Sequence, residues 1–341
     1  MYSIDQIRER LKEGDRPKAD EVYAPDWELA KKYYHKGRPR GLSCEIPEME
    51  QNFSWKKGFL QCFTGWPNFG KTGFTMHMML IMSIAKGWKW VIWSPEMMDS
   101  IGGVKLTAND IFDQMAHSMM GKNPDRYYNQ QPSLEEYQET YKFLTEHFKV
   151  IYPHKRSAQG ILDMFVQLKD SFDFQGVLLD PFKSLHHDTS ERWDIYLERT
   201  FDSFKTFATE SNTIFNLVAH PNSLDKAKIK DKTGEQIGMN VCDQFMLSGG
   251  SAWNNTMDAV FSIHRPNWWQ NPQDPNVEFY SLKIRKQNLV GRTGKVDDIV
   301  FNIQENRYYF SGGSPLDTKP KYENNEVFKG QPNKFDEETP F

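Results

Sequence analysis

The sequence predicts an α/β domain: a mostly parallel, twisted sheet flanked by helices, with antiparallel edge strands at the C-terminal side. Three observations carry that expectation. Residues 65–72 read Gly-Trp-Pro-Asn-Phe-Gly-Lys-Thr, the G-x-x-x-x-G-K-[ST] spacing of a phosphate-binding loop, set between an apolar run (59–64) and a helix-like segment (72–86). Apolar runs of strand length then alternate with helix-length segments as far as residue 263, as successive strand–helix–strand crossovers do. Beyond 263 the strand-like runs 279–285, 299–303 and 308–310 follow one another without intervening helices, as in an antiparallel edge.

Taken in order, the parallel strands are expected at 59–64, 89–94, 148–152, 176–180, 213–219 and 258–263, and the helices at 72–86, 105–120, 134–147, 158–171 and 191–211. Around this region, 51–311, lie two different extensions. Residues 1–50 are polar, with short amphipathic helices expected near 3–12 and 26–35. Residues 312–341 lack periodicity, are rich in Gly, Pro, Asn, Lys and Glu, and read as a disordered tail with an acidic tip.

Charge narrows the classes of partner. Lys and Arg total 42 against 46 Asp and Glu, a net charge of −4, so any nucleic-acid surface must be a local patch and not a global field. Cys44, Cys62 and Cys242 lack metal-ligand spacing and read as reduced thiols. The N-terminus does not resemble a signal peptide, and the longest apolar run, 76–85, is too short to span a bilayer. A cytoplasmic protein without membrane contact is the expectation.

The chemistry concentrates at strand ends. Gly65 and Gly70 let the backbone curl so that N–H groups face an anion. Pro67, Asn68 and Gly73 complete the cradle, Lys71 reaches the β- and γ-phosphates of a nucleotide such as ATP, and the Thr72 hydroxyl ligates Mg²⁺. The run 176–180 ends in Asp180, a second candidate ligand for Mg²⁺ or else a turn acid before Pro181. Glu96, in Ser94-Pro-Glu-Met97, is placed to polarise an attacking water or to cap a helix. His220 ends another strand, either touching the γ-phosphate or serving structure alone. Lys226, Lys228 and Lys230 alternate in the next loop, a phosphodiester-binding set or a solvated charge run. Lys283 and Arg285 share one face of a late strand, which suits an arginine finger acting across a subunit interface or an edge protected by charge.

Together these stretches resemble the ATPase domain of the replicative hexameric helicases, the RecA-like group that includes bacterial DnaB, phage primase–helicases and the mitochondrial replicative helicase. The likeness covers about residues 40–311. It runs through Thr64–Thr72, Ser94–Met97, Leu178–Asp180, Ala219-His-Pro-Asn222, Ser248–Asp258 with His264-Arg265, and Lys283-x-Arg285 with Gly291-Arg-Thr-Gly294. The resemblance implies a RecA-like P-loop core and Glu96 as catalytic base. It also implies Arg265 among the nucleotide contacts, Lys283 as a piston and Arg285 as the finger. It departs from the family in its roughly fifty-residue N-terminal region, without a primase domain, and in the spacer 286–290. Residues 1–50 are accordingly expected to serve subunit packing.

The implied function is ATP-driven translocation on single-stranded DNA by a homo-oligomer, a hexamer of phage type. A recombination or recombination-mediator ATPase and a non-motor ATP-binding scaffold are the alternatives. The tip Asp336-Glu-Glu-Thr-Pro-Phe341 resembles the C-terminal tip of bacterial single-strand binding proteins. It offers an aromatic anchor and carboxylates to a primase, polymerase or loader, or else it is a solubility element.

Overall fold

The computed structural model describes residues 24–101, 105–125, 131–187, 190–222 and 224–317. The chain divides into two units, Met1–Pro39 and Arg40–Phe341. In the first, helix α1 (Trp27–Lys36) starts where the Asp26 carboxylate accepts from the N–H groups of Glu28 and Leu29, and none of its residues is buried. The helix expected near 3–12 lies outside the described residues.

The second unit is built on strands β1 (Leu60–Thr64), β2 (Trp90–Trp93), β5 (Phe148–Val150), β6 (Gly176–Leu179), β7 (Ile214–Val218) and β10 (Ala259–His264), all parallel. Strands β11 (Asn276–Ile284), β12 (Gly294–Asn302) and β13 (Arg307–Tyr309) add to β10 in antiparallel sense. The nine-stranded order is β13-β12-β11-β10-β1-β7-β6-β2-β5, so β1 lies centrally and its carboxyl end opens beside those of β7 and β10. Strand residues alternate between the two faces. Phe63, Trp90, Ile92 and Leu178 join one core with helices α2 (Lys71–Lys86), α3 (Asn109–Met120) and α4 (Leu134–His147). Cys62, Val91, Trp93 and Leu179 join the other with α5 (Ala158–Lys169), α6 (Trp193–Glu210) and α7 (Gly250–Thr256).

Helix α2 is apolar on nearly all sides because sheet and helices enclose it. Two buried amides pair across the sheet: Gln61 donates to Asn216 at 2.6 Å, and Asn216 donates to the Val177 carbonyl at 2.9 Å, which fixes the β1–β7–β6 register. The three cysteines are buried and free. Among the described residues no helix is long and apolar enough to cross a membrane.

Several boundaries differ from the sequence expectation. Residues 105–107 are strand β4, paired with β3 (Asp99–Ile101), so α3 starts only at Asn109. Two short hairpin strands, β8 (Lys228–Lys230) and β9 (Gln236–Met239), occupy a segment expected as loop. A one-turn helix, α8 (Gln287–Val290), fills the spacer after Arg285. Cys44, Ile46 and Met49 enter the main core, so the stretch after residue 40 packs with the ATPase-like unit. Ordered packing also continues past 311: Ser314 and Leu316 are buried and Asp317 meets Arg307 at 2.8 Å. The remainder of the expected tail, with its acidic tip, lies outside the described residues.

Gly176 begins β6 where a Cβ would fall 2.2 Å from the Trp90 ring. Both atoms belong to a packed sheet with little room to yield. Gly176→Ala is therefore expected to cost about 1–3 kcal/mol of stability, seen as a lower midpoint in urea unfolding. An unchanged midpoint would show that the Trp90 ring swings clear.

Candidate active site

The phosphate loop leaves β1 and returns at the N-terminus of α2. Its shape demands glycine twice. Gly65 has φ 148°, and a Cβ there would lie 2.4 Å from the Ile263 carbonyl oxygen. Gly70 is left-handed at φ 81°, with the Tyr308 hydroxyl 2.7 Å from where its Cβ would be. Asn68, exposed at the tip, also has positive φ, 66°. The side chains between the glycines anchor the loop. Trp66 is buried, donates from its indole to the Asn240 carbonyl at 2.7 Å, and clusters with Phe69, Ala227 and Cys242. Phe69 lies 5.7 Å, centroid to centroid, from both His264 and Trp268. Pro67 is half-buried, while Gly73 lies in the first turn of α2 against Tyr308.

This loop holds an ammonium away from water. Lys71 is 4% exposed and donates to the Trp66 carbonyl at 3.0 Å. Burial pushes its pKa down to about 8, against the pull of Asp180. Opposite it, Thr72 donates to Asp180 at 2.5 Å. Burial pushes the Asp180 carboxyl up to about 6, opposed by the Thr72 hydrogen bond and by Lys71. Two hard oxygen donors side by side fit Mg²⁺, which completes its shell with water and phosphate oxygens. A buried cation at a helix N-terminus fits the phosphates. The residues present therefore suit ATP with Mg²⁺.

Around this centre, Glu96 sits in a 3-10 turn (Pro95–Met97) after β2, and the Lys183 ammonium lies 3.2 Å from its carboxylate. His220 follows β7; burial first, then Lys71 and Lys183, push its pKa down to about 4, leaving a neutral imidazole at pH 7. Arg265 donates to the Pro272 and Asp274 carbonyls at 2.9 and 2.5 Å. It lines a cleft of about 900 Å³ shared with Asn68, Trp268, Ile303 and Tyr309. Apolar and aromatic walls with one guanidinium suit a nucleobase.

Lys283 and Arg285 stand elsewhere. The backbone N–H of Arg285 donates to the Asp258 carbonyl and that of Asp258 to Leu60, which places both at the amino ends of β10 and β1. The phosphate loop leaves the opposite end of β1, five residues away, or roughly 15 Å at 3.3 Å per residue. The half-exposed Arg285 guanidinium meets the buried Asp258 carboxylate at 3.4 Å, alongside Lys205. Lys283 donates to the Met257 carbonyl at 2.7 Å and to Asn254, capping the end of α7. Lys226, Lys228 and Lys230 are exposed on and beside the β8–β9 hairpin, whose Ile229 and Ile237 are exposed as well.

Sequence reasoning misses Lys183, Tyr308, Trp268 and Tyr309. Only Lys183 carries a signal, a cation three residues beyond the strand-end Asp180. The aromatic residues reach the loop through tertiary packing alone.

The raised Asp180 pKa has a pH consequence. In the nucleotide-free fold its charged form is disfavoured, so the penalty is absent below its ordinary value of 3.8 and complete above about 6. Asp180→Asn lacks it. Between pH 4 and pH 7, the variant should therefore gain about 2–3 kcal/mol relative to wild type, measured by denaturant unfolding in chelator. A difference that stays flat with pH would refute the burial account.

No family model matches the sequence. The Twinkle homolog protein, chloroplastic/mitochondrial, of Arabidopsis thaliana is 25% identical over 227 residues, covering 63% of this chain. The chain spans only 31% of that protein's length. Being organellar, that relative gives no support to a phage origin. A solved ATPase domain superposes with a TM-score of 0.65 at 13% identity, over 87% of this chain and 99% of that one. A DnaB-like replicative helicase, solved in a study of its interactions with primase, gives 0.65 at 14% identity, over 89% and 71%. The chain has the RecA-like fold of these ATPase domains, and it is similar to the DnaB-like replicative helicases.

Proposed function

We propose that the chain is an ATP-driven motor of replicative-helicase type, translocating on single-stranded DNA with ATP hydrolysed between neighbouring copies in a ring, a hexamer by the family resemblance. One observation supports this above the others. Arg285 and Lys71 lie at opposite ends of the sheet, so this arginine is out of reach of its own phosphate loop; ion-paired with Asp258 and half exposed, it is open to a neighbour's. Lys71 neutralises the phosphates, while Thr72 and Asp180 would hold Mg²⁺, which would supply further positive charge against the nucleotide. Glu96 takes the proton of the attacking water, and His220, a neutral imidazole, responds to the γ-phosphate. Arg285 of the next copy meets the charge that develops in transfer. Lys283, held on the carbonyls of α7, sets the position of β11 and so of Arg285.

The β8–β9 hairpin supplies the grip on DNA. Trp66 ties the phosphate loop to Asn240 and Ala227 at the base of this hairpin. A change at the loop is thereby transmitted to Lys226, Lys228 and Lys230. Of residues 1–50, the part before Arg40 serves packing between copies, since Cys44, Ile46 and Met49 are buried in the chain's own core, and the tip Asp336–Phe341 docks a primase, polymerase or loader. Incubation with a forked duplex and ATP tests the motor reading directly, since strand separation is required of it. DNA-stimulated hydrolysis without unwinding would instead favour a recombination-type ATPase. Hydrolysis indifferent to DNA would favour a scaffold.

Two variant sets probe the roles. Glu96→Gln should slow turnover by about 10²-fold or more, and Arg285→Ala by roughly 10³-fold with nucleotide still bound. Mixing the two inactive variants should restore part of the activity, because some interfaces then join an intact base to an intact finger. If mixed oligomers form without rescue, the two residues act within one copy. Replacing Lys226, Lys228 and Lys230 with Ala should weaken single-strand binding and flatten its salt dependence, by a slope of roughly 0.7 for each phosphate no longer neutralised. An unaltered slope in a fluorescence titration would return these lysines to solvent.

A further inference from the structure

The turn after β6 carries a cation that phosphate-loop chemistry does not require. Lys183 lies in the 3-10 turn Phe182–Ser184, and its ammonium is 3.2 Å from a Glu96 carboxylate oxygen. The turn is fixed from below. Phe182 is buried, with its ring 5.3 Å from Phe201 and 5.1 Å from Trp253. Packing therefore presents Lys183 to Glu96. An ammonium at that distance from one carboxylate oxygen competes there with a water that Glu96 would accept from. Both side chains are about half exposed, at 59% and 48%, so an anion from solution can reach the pair.

We propose that Lys183 restrains Glu96 when DNA is absent, and that a phosphodiester of single-stranded DNA releases the base by drawing Lys183 to itself. The inference rests on the reading of Glu96 as the base. It makes Lys183 a positioning residue that couples DNA binding to hydrolysis. The surroundings favour a polyanion as the competitor. The backbone N–H of His186 donates to the Arg156 carbonyl at 2.7 Å, which ties the Lys183 turn to the segment carrying exposed Lys155 and half-buried Arg156. A phosphate chain at this rim meets several cations in succession, whereas Glu96 offers Lys183 a single carboxylate. An ion pair this exposed is weak, so the exchange is easily driven.

Steady-state ATP hydrolysis with and without a single-stranded oligonucleotide tests this in wild type, Lys183→Ala, Lys183→Arg and Glu96→Gln. Lys183→Ala should raise the DNA-free rate roughly two- to fivefold, the worth of a solvent-exposed pair, and shrink the ratio of stimulated to DNA-free turnover. Lys183→Arg should keep the wild-type ratio. Added salt should raise the DNA-free rate of wild type by screening the pair, but not that of Lys183→Ala. An unchanged or lower DNA-free rate in Lys183→Ala overturns the restraint. So does a raised KM for ATP with an unchanged ratio, which would assign Lys183 to the nucleotide. If Glu96→Gln turns over like wild type, the base assignment fails and takes the inference with it. A normal loss in Glu96→Gln beside an unaltered Lys183→Ala sinks the restraint alone.

Discussion

The structure is organised by the need to keep the Lys71 ammonium out of water without a permanent partner of full charge at contact distance. Burying such a group is costly. The chain meets the cost with a backbone carbonyl, the start of a helix facing the same space, and the Asp180 carboxylate nearby. Each of these depends on the sheet. β1 must end where α2 can begin, and β6 must end near enough for Asp180 to reach Thr72. The two buried charges are pushed in opposite senses, Lys71 down and Asp180 up, so both lean towards neutrality in the fold as it stands. A site arranged this way favours its ligand partly because the empty state is electrostatically uncomfortable.

The second organising contact is the pair of aromatic side chains inside the phosphate loop. The positions between Gly65 and Gly70 have no fixed chemical duty, yet Trp66 and Phe69 are buried and fasten the loop to surroundings on two sides. Trp66 faces the segment around Ala227 and Cys242, whereas Phe69 faces His264 and Trp268 beside the Arg265 cleft. Polypeptide that would otherwise be a mobile turn joins the Lys71 loop, the Arg265 cleft and a projecting hairpin. Stiffness at this point lets a small shift at one become a displacement at another.

Much of this was legible in the sequence, for identifiable reasons. The loop 65–72, Asp180, Glu96 and His220 stand at strand ends marked by abrupt changes from apolar to polar residues, and the structure brings all of them around Lys71. The order of elements was legible too, because buried parallel strands read as continuous apolar runs. Short hairpins were not: the strands of β3–β4 and β8–β9 are only three or four residues long, too short for a period to show. Nor was the packed stretch from Gly312 to Asp317, where Leu316 and the Arg307–Asp317 pair decide the outcome through contacts distant in sequence or too brief to form a pattern. The position of Lys283 on the end of α7 is likewise a tertiary fact, since strand alternation placed it on the same face as Arg285 without saying what lay opposite.

The separation of Arg285 from its own phosphate loop bears on how the protein would be regulated in a cell. On the proposed reading a solitary copy binds nucleotide but lacks one of the groups that discharge it. Specific activity would then be no fixed constant of the polypeptide. It would climb steeply with local abundance and fall away on dilution, so crowding copies onto one strand would itself act as the switch. The buried Asp258, by parking the guanidinium at the end of the sheet away from the Lys71 loop, would keep scattered copies quiet.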